Sequence, residues 1–431
     1  MATMSVRDEA VGLLQELLRL NTVNPPGNET IAAELLRSYL ENSGVACELY
    51  AREPERANLV ARIPGRGDGP SLLLLSHTDT VVADPEEWSV DPWSAVLKDG
   101  CVWGRGALDM KGHVAAAATA MATLAREGFE PAGDLVFAAT ADEEVGVDVG
   151  LSWLCREHPD AMRTDFCVNE GGGERVFVDG RPLYLCTTAE KMSAPFRLRV
   201  HGRSGHASMP GIADNALVRA ARLIDRIAGL KQPARLIPET EALFAVLGDV
   251  PGPAELEHMV AGLPRETREM VEPMLALAVS PTMISASQRT NVIPGVCEIV
   301  CDCRLLPGDT PADVEPAIRA ALGEDSYELE WIEAVGGTRS PLATPLWDAI
   351  EAFIGEVDPE AGVAPVVSPG FTDSHFLREA LGTVAYGFFP MRTMDPELAA
   401  RLIHSADERI AVEDLELGVR FLRHVAATLS G

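Results

Sequence analysis

His77 and Asp79 stand two residues apart just after the apolar run Leu72-Leu73-Leu74-Leu75, and Asp109 follows a glycine-rich turn, Gly104-Arg105-Gly106. Asp142-Glu143-Glu144 comes directly after a second apolar run, Leu135 to Thr140. Glu170 comes after a third, Asp165 to Val168, and His404 lies near the end of the sequence. Imidazole and carboxylate donors without thiolates suit zinc, cobalt or manganese, and a carboxylate with two oxygens can bridge two cations about 3.5–4 Å apart. A catalytic metal also needs an open position for water and a nearby carboxylate to take its proton. His77, Asp109, Glu144, Glu170 and His404 would supply five ligands to two divalent ions, and Glu143 is the neighbour left over for proton transfer. Three anionic ligands against two divalent cations leave a net positive site, which favours ionisation of a bound water. Asp79, on an extended segment, can turn back toward the His77 ring and fix its tautomer.

Each piece has an ordinary alternative when taken singly. His-x-Asp arises by chance, and a Glu-Glu pair after a strand is commonly a solvated loop. What points to one shared site is that the acidic and histidine side chains close several separate strands, because the carboxyl ends of strands are where open α/β sheets gather ligands.

The elements that must position these groups can be read from the same pattern. The leucine run, bounded by Gly and Pro, reads as a strand buried on both faces of a parallel sheet. Val11, Leu14, Leu17 and Leu18 recur at helical spacing, and Asn21 to Gly27 stops that helix with Pro and Gly. Further helices are predicted from about Thr30 to Ser43 and from Met110 to Arg126. From Ser193 the texture changes: Phe196, Leu198 and Val200 alternate with polar residues, as do Cys297, Ile299, Cys301 and Cys303, the period-two pattern of half-exposed strands. Between them lie a helix from Asn215 to Leu230 and a stretch, Gln232 to Pro281, that reads as mostly helical and peripheral. A helix from Pro311 to Leu322 and a strand from Tyr327 to Ile332 complete this α+β unit. The helix Leu346 to Val357, the strand Val384 to Phe389 and the closing helix Val412 to Leu429 then return to the first texture. The fold class is therefore α/β, a catalytic domain at residues 1–192 and 336–431 interrupted by an inserted domain at 193–335.

Composition narrows the classes. At 431 residues, 47% of them hydrophobic, two domains with ample core are expected. No apolar run reaches the eighteen or so residues needed to span a bilayer, and the charged, amphipathic start reads as a helix, not a signal peptide. Eight cysteines without a C-x-x-C pair read as reduced thiols in a cytoplasm. A formal charge of −29 repels phosphate backbones, which speaks against nucleic-acid and anionic-membrane partners.

Taken together, Ser76-His77-Thr78-Asp79, Gly104-Arg105-Gly106-x-x-Asp109-Met110-Lys111-Gly112, Asp142-Glu143-Glu144-x-Gly146, Asn169-Glu170-Gly171 and Gly205-His206 closely resemble the M20 metallopeptidases. That is the family of carboxypeptidase G2, aminoacylase-1, acetylornithine deacetylase and succinyl-diaminopimelate desuccinylase. The resemblance implies a zinc-peptidase-like catalytic domain with a mixed sheet flanked by helices, and a smaller lid or dimerisation domain through which a homodimer would form. It implies that Asp109 bridges two ions, zinc first and cobalt or manganese as alternatives. His77 and Glu170 would complete one ion, Glu144 and His404 the other. Glu143 would be the general base and acid, and Asp79 the partner of His77. His206 matches the lid histidine that donates to the tetrahedral oxyanion. Asn291 and Arg304 match lid residues that contact substrate, and alternation independently places Arg304 opposite the apolar face of its strand, where it either captures a carboxylate or pairs with Asp302 or Glu298 on the same face. One departure stands out: Pro369-Gly370-Phe371-Thr372-Asp373-Ser374-His375 has Phe and His where the family often shows Gly and Arg. His375 either lines the pocket or is a satisfied histidine beneath the sheet. The implied activity is hydrolysis of the amide bond of an N-acyl amino acid, or of a small peptide with a free carboxylate. Exopeptidase and deacylase share every catalytic residue, and a catalytically idle binding protein is the alternative from another class.

Overall fold

The leucine strand, Leu72–His77, is buried at every position, and its neighbours explain why. It lies between Leu135–Thr140 and Phe166–Asn169, parallel to both. Leu72 and Leu74 point into one core, with Leu14, Leu17, Phe137 and Phe421. Leu73 and Leu75 point into the opposite one, with Val136, Leu154 and Cys167. At about 2 kcal/mol for each fully buried leucine, the four together fix the register of this strand and so the place of His77 at its end.

The computed structural model describes residues 5–178, 180–248, 250–263 and 265–431. The chain divides into two units, one comprising residues up to Thr188 with Ser340–Pro365 and Thr372–Gly431, the other Ala189–Arg339 with Val366–Phe371. In the first unit the sheet runs Ala46–Ala51, Ala57–Ile63, Leu135–Thr140, Leu72–His77, Phe166–Asn169, Val384–Gly387, Arg181–Glu190 and Gly362–Ser368, with Arg175–Val178 hydrogen-bonded to Arg181–Glu190. Its four central strands are parallel, while Ala57–Ile63, Ala46–Ala51 and Arg181–Glu190 join antiparallel, so the sheet is mixed, as expected. Helices Val6–Leu18, Lys111–Arg126, Pro345–Val357 and Val412–Ser430 cover one face, and Leu151–Glu157 with Ser374–Leu381 the other. Lys111 opens its helix fully buried, and its ammonium donates to the carbonyls of Leu17 and Leu20 at the end of the first helix. That contact ties the start of this helix to the end of the first one.

The second unit is a sheet ordered Tyr327–Trp331, Phe196–His201, Val296–Leu305, Met192–Ser193 and Val335–Gly336, with Ala278–Ser285 also paired to Val296–Leu305. The alternating cysteines and Ile299 do form its inner face, packed on helices Ala216–Ala228 and Pro311–Leu322. Within the stretch expected to be mostly helical, Pro238–Leu247, Leu256–Gly262 and Arg265–Val271 are helices, but its end is not: Ala278–Ser285 is a strand. This strand lies at the sheet edge with Pro281 beside a register irregularity. Edge position is what tolerates the proline and erases the alternation that would have revealed it. The strands Arg181–Glu190 and Gly362–Ser368 and the helix Ser374–Leu381 were likewise not anticipated. Among the described residues no helix is long and apolar enough to cross a membrane.

Gly387, closing the strand Val384–Gly387, has the Glu170 carbonyl oxygen where a Cβ would stand. Gly387→Ala is expected to cost about 1–3 kcal/mol through overpacking, read as a lowered midpoint in denaturant; a wild-type midpoint would contradict this packing.

Candidate metal centre

Three adjacent parallel strands deliver the first groups to one edge of the sheet. His77 ends Leu72–His77, Glu143 and Glu144 follow Leu135–Thr140, and Glu170 follows Phe166–Asn169. Asp109 and His404 come from loops. His77 Nε2 lies 3.1 Å from Asp109 Oδ1 and 3.6 Å from Glu170 Oε2. His404 Nε2 lies 3.0 Å from Asp109 Oδ2 and 3.1 Å from Glu144 Oε2. Asp109 therefore turns one oxygen toward each histidine. Ligating atoms held about 2 Å from a shared tetrahedral cation sit roughly 3–3.5 Å apart, the spacing found on both sides of Asp109. Glu143 joins the cluster, with a carboxylate oxygen within 4.8 Å of donor atoms of His77 and Glu170.

Two buried carboxylates hold this arrangement. Asp79 is fully buried. One of its oxygens accepts the backbone N–H of Glu143 at 3.2 Å; the other accepts that of Glu144 at 3.1 Å and the Asn24 amide at 2.9 Å. The His77 Nδ1 faces the Asp79 carbonyl oxygen at 3.1 Å and its carboxylate at 3.4 Å. With acceptors on that side, Nδ1 carries the proton and the Nε2 lone pair is turned toward Asp109 and Glu170. Asp79 thus orients the ring chiefly through its backbone, while its carboxylate pins the Glu143-Glu144 turn. Asp142, just before that turn, has φ 69°. Its side chain accepts from Val149 N, Asn24 and Arg56, which holds it in this left-handed conformation.

Glu408 is the second anchor. It is completely buried. Its carboxylate accepts from the Arg105 guanidinium at 2.6 Å and from the backbone N–H groups of Gly106, Leu108 and Asp109 at 2.9, 2.7 and 3.0 Å. It fastens the Asp109 loop to the segment that carries His404. Sequence reasoning gave Glu408 and Asn24 no role. Four acceptor contacts converge on Glu408, but no spacing rule marks them, because the partners are backbone amides three hundred residues away. Asp373 is also buried, its carboxylate accepting from Thr140 Oγ1 at 3.0 Å.

The other residues singled out from the sequence are placed elsewhere. His375 lies in the first turn of the helix Ser374–Leu381, buried, with Nε2 3.4 Å from Glu379, outside the groups around Asp109. In the second unit, His206 and Asn291 come together: His206 pairs with Val292 in a two-residue ribbon and Ala207 N donates to the Asn291 carbonyl. Arg304 projects from the polar face of Val296–Leu305, and its Nε and Nη2 grip Asp302 at 2.8 and 3.0 Å.

Electrostatics ask for cations here. Burial, reinforced by Glu170, pushes the Glu143 carboxyl well above the usual range, and burial lifts Glu170 and Asp373 to about 7 each. Against opposing burial, hydrogen bonds from His404 and His77 hold Asp109 low; hydrogen bonds to Asp109 and Glu144 carry His404 up to about 10. Glu144 Oε1 is buried without a hydrogen-bond partner among the described residues. An orphaned carboxylate oxygen in an acid-rich cluster, and donors of the hard and borderline kinds, fit two divalent ions.

The shifts fix a pH dependence. In the metal-free protein Glu170 and Asp373 keep protons up to about 7, whereas their ordinary values are 4.5 and 3.8. The folded chain binds more protons than the unfolded one across that window, so its stability falls as pH rises from about 4.5 to about 7. A cation held by His77, Asp109 and Glu170 would take the place of the Glu170 proton. Thermal melts in chelator should therefore drop in midpoint across this range by more than metal-loaded melts do; a chelated protein of constant or rising stability would count against the cluster.

Comparison with known proteins bears on the family and the fold. The succinyl-diaminopimelate desuccinylase of Magnetococcus marinus is 27% identical over 437 residues, covering 98% of each chain. The M20 family metallo-carboxypeptidase Sso-CP2 of Sulfolobus solfataricus superposes with a TM-score of 0.73 at 19% identity, over 98% of this chain and 99% of that one. The YxeP protein of Bacillus subtilis, described as a dinuclear metal binding peptidase from the M20 family, superposes with a TM-score of 0.62 at 13% identity, over 98% and 97%. These two likenesses are of fold, and the fold is the α/β architecture that the resemblance implied. The profile of Peptidase family M20/M25/M40 matches residues 73–428, a span from the leucine strand to the last helix, and on that match this chain belongs to the family and is a hydrolase of its kind.

Proposed function

We propose that the protein hydrolyses the amide bond of an N-acyl amino acid, or of a short peptide, whose amino-acid part carries a free carboxylate. The observation that supports this reading above the others is Asp109, one oxygen toward His77 and Glu170 and the other toward His404 and Glu144, with Glu143 left beside them. Two divalent cations, zinc first and cobalt or manganese by the same donor chemistry, would supply Lewis-acid activation of a water and of the amide carbonyl when bound. Glu143 accepts the proton of the attacking water as the new C–O bond forms. It returns that proton to the nitrogen as the C–N bond breaks, leaving a carboxylic acid and an amine. Burial, reinforced by Glu170, holds its carboxyl above the usual range, which makes Glu143 a stronger base toward the attacking water.

In this reading His206 donates to the tetrahedral oxyanion. Its support is the tautomer: Ser208 N donates to Nδ1 at 3.2 Å, which leaves the proton on Nε2. Arg304 and Asn291 receive the substrate carboxylate. The grip of Arg304 on Asp302 uses Nε and Nη2, not Nη1. The desuccinylase relative favours an acyl amino acid; the metallo-carboxypeptidase among the fold neighbours favours the peptide alternative. A reducing, cytoplasmic setting is supported by eight unpaired thiols.

We also read the second unit as a dimerisation lid. The strand Ala278–Ser285 has, among the described residues, only Val296–Leu305 as a partner, and it exposes Met283 and Ile284. An open apolar edge of this kind invites pairing with a second copy.

Two outcomes are expected. Glu143→Gln should retain two metals per chain and lower kcat by about 100-fold or more; near-normal turnover would remove Glu143 from the proton transfer. Sedimentation should show a dimer that Met283→Lys weakens, and a monomeric wild type would refute the edge pairing.

A further inference from the structure

One cavity of the first unit is not used by the chemistry above. It measures about 120 Å³, on the scale of engineered cavities of roughly 150 Å³ that hold a benzene molecule. Asp109 and Glu170 form one wall, so it begins where the reacting carbonyl must lie. Phe389, Met391, Ile403 and Ile410 make most of the remainder apolar. Two lining groups are polar: Glu174, whose carboxyl burial pushes upward, and His113. His113 is only 3% exposed, and its ring lies tilted against Phe389 with centroids 4.8 Å apart. Both of its nitrogens lack a hydrogen-bond partner among the described residues. Burial drives this imidazole down to about 3, so it is neutral and offers one donor and one acceptor. Leaving both unsatisfied is unfavourable, and an occupant with a neutral polar atom would relieve it.

Glu143 does not border the cavity. The leaving nitrogen must meet Glu143, so the part of the substrate that extends into the cavity is the acyl side. We propose that this cavity is the acyl pocket, and that it selects a short uncharged acyl group, aliphatic or ending in a neutral amide or hydroxyl. A dicarboxylic acyl group would set its terminal carboxylate against Glu174 and Glu170 in a poorly solvated space. The inference rests on the amide-hydrolase reading and adds the chemistry of the acyl group to it.

The test compares N-acetyl-, N-butyryl-, N-succinamoyl- and N-succinyl-alanine. Succinamoyl and succinyl have nearly the same shape and differ in charge. With the metal-loaded enzyme, kcat/KM should be at least about tenfold higher for butyryl and succinamoyl than for succinyl. Calorimetric binding to metal-loaded Glu143→Gln should follow the same order without turnover. Met391→Trp should shrink the preference for butyryl over acetyl, and Glu174→Gln the gap between succinamoyl and succinyl. Succinyl bound as well as succinamoyl, or butyryl no better than acetyl, would overturn the pocket while leaving the hydrolase intact. Binding in the stated order with no turnover of any substrate by the wild type would instead overturn the hydrolase reading and keep the pocket.

Discussion

Four carboxylates, those of Asp109, Glu143, Glu144 and Glu170, are pressed together with only two imidazoles among them. Like charges at such separations in a partly desolvated space repel strongly, and the imidazoles of His77 and His404 lie between them. The protons that Glu143 and Glu170 retain are the metal-free compromise. The loops that carry these groups are held in place against that repulsion.

The holding is done from behind. Asp79 and Glu408 are themselves buried anions, yet each is saturated by donors, Asp79 by two amides of the Glu143-Glu144 turn and the Asn24 side chain, Glu408 by Arg105 and three backbone amides. Removing one partner of a buried, hydrogen-bonded charge costs about 3–5 kcal/mol, so these loops are set into the scaffold as firmly as the core strands. The network reaches further, through Asn24 and Asp142 to Arg56 and Glu29.

The parts legible in the sequence were those with a local signature. The leucine strand shows as an unbroken apolar run, the cysteine strand as alternation, and the acidic groups as residues that close strands. From these, the catalytic sheet and its strand-end groups, His77, Glu143, Glu144 and Glu170, could be drawn; Asp109 and His404 lie on loops, and no strand pattern marks them. The parts that were not legible owe their form to distant partners. Ala278–Ser285 lies on an edge where burial imposes no period. Arg181–Glu190 becomes a strand by pairing with segments far along the chain. Asp79 could be tied to His77 by spacing, but not to the amides of Glu143 and Glu144. Glu408 could not be distinguished from a surface acid two residues after Ala406, since the loop it secures lies three hundred residues earlier.

The link between Glu408 and the Asp109 loop has a consequence for how the protein folds. The backbone amides that Glu408 accepts from lie 302, 300 and 299 residues earlier in the chain. Contacts between segments so far apart are slow to form, so the Asp109 loop takes its final shape only after two distant parts of the first unit have met.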